Sequence, residues 1–221
     1  MESSCITSRT TPEEINRCLP QTQCTMCGYP RCLEYARAIA EGKSDINRCP
    51  PGGAETLGAL AKLTNKAIPP PAEDCEPYTG RKIARIEEDI CIGCTLCIPP
   101  CPLDAIIGTA KHLHTVIEEN CSGCELCVDQ CPVDCIRMID VDVDGSFHFW
   151  EEFGDDEVAR WRNLAQRHFE RVSRGDQVTV DSEQFANLKS QIRDAVNRER
   201  SRRWKQANKK AVRLQSARKV K

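Results

Sequence analysis

Two runs of closely spaced cysteines constrain this chain more than any other feature of its sequence. The second run repeats the spacing of the first thirty residues later, and each run ends in a proline. A matching tail follows each proline, Leu-Asp-Ala-Ile after the first run and Val-Asp-Cys-Ile after the second. Because cysteines crowded in this way are typical metal ligands, and because the pattern occurs twice, the segment predicts a repeat with two metal sites.

The spacing of each run, C-x2-C-x2-C-x3-C-P, is the one with which bacterial-type ferredoxins hold [4Fe–4S] clusters. In that arrangement three cysteines of a run bind one cluster, and the fourth binds the other cluster. The predicted ligand sets are therefore crossed: Cys91, Cys94, Cys97 and Cys131 for one cluster, and Cys121, Cys124, Cys127 and Cys101 for the other. A zinc site is the alternative, but zinc usually takes two C-x2-C pairs and has no use for a crossed fourth ligand.

The composition favours small modules that are held together by metal. The chain has 221 residues, of which 5 % are aromatic, and a mean hydropathy of −0.50, so it offers little material for one large core. Its 16 cysteines could instead form a disulfide scaffold, but the first residues contain no apolar signal segment. Reduced thiols indicate the cytoplasm, and no stretch approaches the roughly 18 apolar residues of a membrane span.

A third group of cysteines precedes the two runs. Gly28 and Pro30 predict a tight turn within this group, and residues 33–41 have the composition of a helix that would bring its last cysteine back. The residues alone predict a metal site, with an iron–sulfur cluster favoured over zinc, and its ligands are Cys24, Cys27, Cys32 and Cys49. Two further cysteines, Cys75 and Cys135, are predicted to bind no metal.

These features predict an α+β protein built from several small parts. A small helical four-cysteine domain spans residues 1–68, a linker 69–80, and a ferredoxin-like two-cluster domain 81–140. A helical C-terminal extension is predicted to contain a hairpin and amphipathic helices in 141–196 and a basic tail in 197–221.

The C-terminal extension carries an unusual charge. Residues 155–173 predict an amphipathic helix in which His168 is a packing residue, and Asp181 and Gln184 predict a capping box for a second helix. Residues 186–221 contain 13 Lys and Arg against 2 Asp and Glu, whereas the rest of the chain is acidic. A basic segment such as 186–221 can dock on an acidic protein partner, nucleic acid or an anionic membrane surface.

Residues 13–140 resemble the B subunit of the Rnf (Rsx) electron-transport complex. The resemblance rests on the two ferredoxin runs and on two further segments, Leu-Pro-Gln-Thr-Gln-Cys-Thr-Met-Cys-Gly-Tyr-Pro-Arg-Cys in 19–32 and Ile-Asn-Arg-Cys-Pro-Pro-Gly-Gly in 46–53. It implies a [4Fe–4S] cluster in the first cysteine group as well, and so three clusters in all. Members of the family usually begin with a membrane helix and lack such a basic segment, so the resemblance implies a relative that kept the electron-transfer part.

The predicted function is that of a soluble iron–sulfur protein that passes single electrons between redox partners, such as a flavoprotein or Rnf-type subunits. No catalytic residues are predicted, because the sequence lacks a phosphate-binding glycine loop and a radical-SAM spacing. The expected location is the cytoplasm, or the cytoplasmic face of the inner membrane. Two alternatives are a redox-sensing or nucleic-acid-associated protein that uses the basic tail, and a peripheral subunit of a membrane ion-translocating complex.

Overall fold

The computed structural model describes residues 10–141, 154–175 and 182–218. In chain order its helices are α1 (Pro12–Arg17), α2 (Cys32–Ala40), α3 (Gly53–Thr64), α4 (Asp155–Ser173) and α5 (Ser182–Arg218). Its strands are β1 (Lys82–Ile86), β2 (Ile106–Ile107), β3 (Thr115–Val116) and β4 (Ile136–Asp140), and they lie between α3 and α4. The described residues therefore form an α+β protein, as the sequence predicts.

Helices α1, α2 and α3 enclose the first hydrophobic core. Thr11 and Glu14, three residues apart, predict a capping box for α1, and it is present: each side chain bonds to the other's backbone amide. Tyr35 lies at the centre of this part, and its hydroxyl donates to the Asp45 carbonyl at 2.9 Å and accepts from the Arg48 amide at 3.0 Å. The other large, fully buried side chains of this core are apolar: Ile15, Leu19, Ile46 and Leu60.

The predicted linker 69–80 lies against this first core. Asn47 donates to the Pro70 carbonyl at 2.6 Å, and the Arg48 guanidinium pairs with Asp74 at 2.6 Å. The same guanidinium also donates to the Cys27 carbonyl at 3.3 Å. Arg48 thus connects the linker to a cysteine loop, although the pair with Asp74 is exposed and contributes little stability by itself.

The segment between 81 and 140 folds as two copies of one unit. Strand β1 pairs with β4 and strand β2 pairs with β3, both antiparallel, with Ile86 opposite Ile136 and Ile106 opposite Val116. Each register position in one pair is thirty residues from its counterpart in the other. Even the hydrogen bonds beyond the strands repeat: Glu87 donates to Cys135 at 2.8 Å, and Ile117 donates to Ala105 at 2.7 Å. The predicted repeat is therefore present, and β2 and β3 are shorter than the strands that residues 105–110 and 112–117 predict.

Helix α4 packs on the first copy of this unit. Its Trp161 is fully buried in a small core with Leu103, and Asp104 accepts hydrogen bonds from His168 at 2.8 Å and from Arg171 at 2.6 Å. His168 was expected to be a packing residue, but it faces a carboxylate. On another side of the helix, the Arg31 guanidinium lies 3.5 Å from the centre of the Phe169 ring. Helix α4 therefore contacts both the first core and the ferredoxin-like unit.

Helix α5 packs on the second copy at the equivalent place. Arg193 lies 3.7 Å from Asp134, and Arg200 donates to the Val133 carbonyl at 3.3 Å. The helix is continuous through residue 197, where the sequence predicts the basic tail to begin. Residues 142–149 of the predicted hairpin and the predicted cap at Asp181 lie outside the described residues.

Candidate iron–sulfur sites

All three cysteine loops contain the same backbone turn. The residue after the first cysteine of a C-x2-C pair has a positive φ in each loop: 61° at Thr25, 65° at Thr95 and 62° at Glu125. None of these residues is glycine, so the conformation is uncommon and must be imposed by its surroundings. Turns that alternate right- and left-handed residues direct successive backbone N–H groups into one concave face, and many Fe–S sites use such faces. The cysteine group that precedes the two ferredoxin runs therefore shares its local structure with them.

Glycines complete the turns in the two ferredoxin runs. Gly93 and Gly123 have φ of 66° and 73°, and each lies against the backbone of a neighbouring strand or loop. A Cβ at Gly93 would lie 2.5 Å from the His112 carbonyl, and one at Gly123 would lie 2.4 Å from the Lys82 carbonyl. Both the dihedral angle and the close backbone approach thus require glycine at these positions.

One of the two crossed ligand sets lines a single cavity. The thiols come from the second run and from the last cysteine of the first run, and apolar side chains such as Ile106 and Val116 close the cavity. The cavity encloses about 350 Å³, including its mouth. Its four cysteines are Cys101, Cys121, Cys124 and Cys127, the residues that the sequence assigns to one cluster.

The four cysteines of the group that precedes the two runs line another cavity, of about 300 Å³. Buried amide side chains hold its wall in place: Gln23 donates to Gln21 at 3.2 Å and accepts from the Cys32 amide at 3.1 Å. Gln21 and Gln23 also have positive φ, and hydrogen bonds of their side chains help to hold the segment before Cys24 in this conformation. The cysteines around this cavity are Cys24, Cys27, Cys32 and Cys49.

The remaining crossed set contains Cys91, Cys94, Cys97 and Cys131. Burial raises the pKa of Cys94, and the nearby thiolates of Cys131 and Cys91 raise it further. Cys97 belongs to the same group, because the thiolates of Cys94 and Cys131 add to the effect of burial and raise its pKa to about 12. The last cysteine of the second run therefore lies beside the first three cysteines of the first run.

Two other side chains contact this crossed set, at Cys97 and Cys131. The Sγ atoms of Cys131 and Cys135 lie 3.3 Å apart, and this hydrogen bond lowers the pKa of Cys131 to about 6 while raising that of Cys135. His114 is buried, with its Nδ1 atom 3.4 Å from the Sγ atom of Cys97 and 3.9 Å from that of Cys91. Burial lowers the pKa of His114, because a charged ring is disfavoured away from water.

The thiol chemistry of these sites fits a cluster with several metal atoms. Burial raises the pKa of Cys32 and of Cys127 to about 12, so thiolates there need a strong positive charge, which iron supplies when bound. Two of the cysteine sets line the walls of a defined cavity, and all described cysteines are free thiols.

Two of the sites meet across the boundary between the first core and the ferredoxin-like unit. Cys24 and Cys124 line the same pocket at this boundary. Beside it, the buried Ser122 hydroxyl donates to the Thr22 carbonyl at 2.7 Å. Neither Ser122 nor His114 was predicted from the sequence, although His114 lies in the segment that joins the two runs. Cys75, one of the cysteines that were expected to bind no metal, donates to the Arg48 carbonyl at 3.8 Å.

Comparison with known families agrees with this geometry. Residues 84–138 match the family model of the 4Fe-4S dicluster domain, and residues 19–51 match that of a putative Fe-S cluster domain. Within the described residues, no helix has both the length and the apolar character that are needed to cross a membrane. No solved structure matches the chain significantly.

Several curated relatives are named as the B subunit of an ion-translocating oxidoreductase complex. The protein from Aliivibrio salmonicida is 54 % identical over 139 residues, which cover 63 % of this chain and 71 % of that protein. The protein from Alkalilimnicola ehrlichii is 49 % identical over 139 residues, 62 % of this chain and 75 % of that protein. For the protein from Azoarcus sp., the match of 52 % identity covers 42 % of this chain and 51 % of the relative. The chain thus spans about half the length of some relatives that it matches.

Proposed function

The chain belongs to the B-subunit family of ion-translocating oxidoreductase complexes, and on this premise we propose that it carries single electrons through three [4Fe–4S] clusters. Each cluster supplies one-electron chemistry when it is bound, at a potential that depends on burial and on hydrogen bonds to its sulfurs. The chain supplies thiolates in fixed positions, backbone amides and a dry surrounding. We propose no catalytic residue for the described part of the chain.

One observation carries this proposal, the turn of positive φ that Thr25, Thr95 and Glu125 share. Three loops with one unusual conformation support three sites of one kind. The proposed ligands are those of the sequence analysis: Cys24, Cys27, Cys32 and Cys49; Cys91, Cys94, Cys97 and Cys131; Cys101, Cys121, Cys124 and Cys127.

The contacts between the sites support an order of electron transfer. Cys124 shares a pocket with Cys24, and Cys127 is close enough to Cys97 to raise the pKa of that buried thiol further. The site that contains Cys124 and Cys127 is therefore the middle one. Electrons would enter at one outer site, pass through the middle site and leave at the other outer site, all within this single chain.

The proposed partners are other subunits of an ion-translocating oxidoreductase complex, in keeping with the name that the relatives bear. The expected location is the inner membrane surface, with the protein bound peripherally. An exposed basic stretch of α5, around Arg198, Arg202 and Lys205, offers a surface for an acidic partner. Nucleic acid, the alternative from the sequence, gains no support from the relatives.

Anaerobic purification with iron and sulfide analysis tests the cluster count. We expect twelve irons for each chain, four for each cluster. Stoichiometric zinc, or no more than eight irons, would contradict the proposal.

Electron paramagnetic resonance of the reduced protein tests the order. The spin of the middle cluster should broaden the signal of the four-cysteine site, and Cys101→Ser should sharpen that signal by removing the middle cluster. Cys91→Ser is the matched control, because it affects the far site and should leave the broadening in place. Equal sharpening by both variants would refute the order.

A further inference from the structure

The two cluster sites of the ferredoxin-like unit are built by a repeat, but their surroundings are not the same. When the copies are aligned by their cysteines, Ala84 corresponds to His114 and Ala105 corresponds to Cys135. All four residues are buried. Both of the larger, polar residues lie at one site, the one that contains Cys91, Cys94, Cys97 and Cys131.

The backbone gives the two sites similar hydrogen bonds. The Ala105 amide donates to the Cys101 sulfur at 3.2 Å, and the Cys135 amide donates to the Cys131 sulfur at 3.3 Å. Because these bonds are equivalent, they do not distinguish the sites. The twin site has one further backbone donor, since the Ala84 amide donates to the Cys121 sulfur at 3.4 Å, and the side-chain donors of the other site are weighed against it.

At one site, two side chains add donors that the other site lacks. Nδ1 of His114 lies 3.4 Å from the Cys97 sulfur, and the Cys135 sulfur lies 3.3 Å from the Cys131 sulfur. A metal-bound cysteine is a thiolate and only accepts, so the Cys135 S–H is the donor in the second contact. The methyl groups of Ala84 and Ala105 can make neither bond at the equivalent positions.

The tautomer of His114 follows from its buried surroundings. A neutral imidazole carries hydrogen on one nitrogen only. Nε2 is buried and has no hydrogen bond of normal distance and angle, although the Thr109 carbonyl lies near enough to the ring to raise its pKa. A hydrogen on Nδ1 is directed at the sulfur of Cys97, and this placement satisfies the ring.

The strands make room for this imidazole. In the first pair of strands, Ala84 lies opposite Met138, a small residue facing a large one. In the second pair the sizes are exchanged, because Gly108 lies beside His114, and a Cβ at Gly108 would lie 2.2 Å from the histidine ring. Since cores tolerate exchanges that conserve volume, this reversal fits a site shaped around the histidine.

We propose that His114 and Cys135 are positioning residues that raise the reduction potential of the cluster at Cys91, Cys94, Cys97 and Cys131 above that of its twin. Adding an electron makes the cluster sulfurs more negative, so hydrogen-bond donors to them stabilise the reduced state. The proposal rests on the proposed function, since it assumes that both sites hold clusters. Within the ferredoxin-like unit, this higher reduction potential makes the outer site the one that is reduced preferentially.

The test is a redox titration of the intact holoprotein with dithionite, which donates one electron to each cluster, followed by electron paramagnetic resonance. His114→Leu fills the same space without a donor, and His114→Gln keeps an N–H donor. For His114→Leu we expect the reduction potential of one cluster to fall by about 59 mV. For one electron, this corresponds to a roughly tenfold smaller ratio of reduced to oxidised cluster at a fixed potential. His114→Gln should recover most of the shift.

Cys135→Ala tests the second donor, and it should move the same signal in the same direction. His112→Ala is the matched control, because this neighbouring histidine is exposed and bonds to Thr109 rather than to a cysteine. The potentials of the other clusters should not change in any variant. The variant Cys91→Ser identifies which signal belongs to this site.

Selective ¹⁵N labelling of histidine gives a readout that needs no variant to fold. Pulsed electron paramagnetic resonance should show a histidine nitrogen coupled to one cluster only. Absence of this coupling, or unchanged potentials in a His114→Leu protein with full iron content, would overturn the proposal; the ring hydrogen would then lie on Nε2, toward Thr109. Equal shifts of all clusters would also overturn it. Iron analysis separates these outcomes from failure of the proposed function, which would appear as missing clusters in the unmodified protein.

Discussion

Replacement of Trp161 should detach α4 from the rest of the protein without loss of iron. Trp161 is fully buried and packs with Leu103 of the ferredoxin-like unit, together with Val158 and Ala165 of its own helix. Truncation of a buried tryptophan to alanine typically costs about 3–5 kcal/mol. No proposed ligand lies in α4, so this cost should fall on the docking of the helix alone.

Hydrogen exchange of the holoprotein measures this cost. Most of the stability of a helix in a protein comes from packing of its apolar face, so the amides of α4 should exchange once this amphipathic helix detaches. Since a factor of ten corresponds to about 1.4 kcal/mol, Trp161→Ala should speed their exchange by roughly a hundredfold or more. Strands β1 and β4 should keep their protection.

The matched control is Trp204→Ala in α5. Trp204 is 65 % exposed, so its loss should change stability by no more than about 0.5 kcal/mol. An increase of less than tenfold in the exchange of α4 after Trp161→Ala would refute the packing argument. Loss of iron in that variant would refute the separation between docking and cluster binding.

Three further outcomes are expected. Cys101→Ser should remove four irons and the signal of the cluster at Cys121, Cys124 and Cys127, and loss of the Cys91 cluster instead would exclude crossed ligation. Ser122→Ala should loosen the boundary between the first core and the ferredoxin-like unit by about 1–3 kcal/mol, measured as faster exchange around Thr22, because a buried carbonyl loses its donor. Burial would raise the pKa of Asp104, but hydrogen bonds from His168 and Arg171 outweigh it and hold the pKa below its usual value. The contribution of Asp104 to docking of α4 should therefore be complete above the ordinary pKa of an aspartate and vanish as the pH falls through the lowered value, which exchange measured across an acid series will show.

The sequence predicted those parts of the protein that depend on local chemistry. Cysteine spacing gave the two groups that line cavities, and Thr11 with Glu14 gave the cap of α1, because such patterns act over a few residues. The range of α4 was predicted in full, since its apolar residues recur with helical periodicity.

Contacts between distant segments were not predicted. Ser122 and Thr22 are one hundred residues apart, and neither belongs to a motif. His114 offered a signal in its alignment with Ala84, but only the structure shows that its ring faces Cys97. His168 has the position of an apolar residue on its helix, and its bond to Asp104 depends on how α4 is oriented.

The repeat also explains where the C-terminal helices bind. Leu103 and Asp104 contact α4, whereas their counterparts Val133 and Asp134 lie at the contact with α5. Both aspartates have a positive φ, 51° and 54°, and each forms an ion pair with an arginine of its helix. A unit with two similar faces thus presents two similar docking sites, and the two helices cover them at the segments that follow the crossed cysteines. Since the helices differ in sequence, they add to the asymmetry that His114 and Cys135 create inside the unit, and the symmetric repeat becomes a carrier with two distinguishable ends.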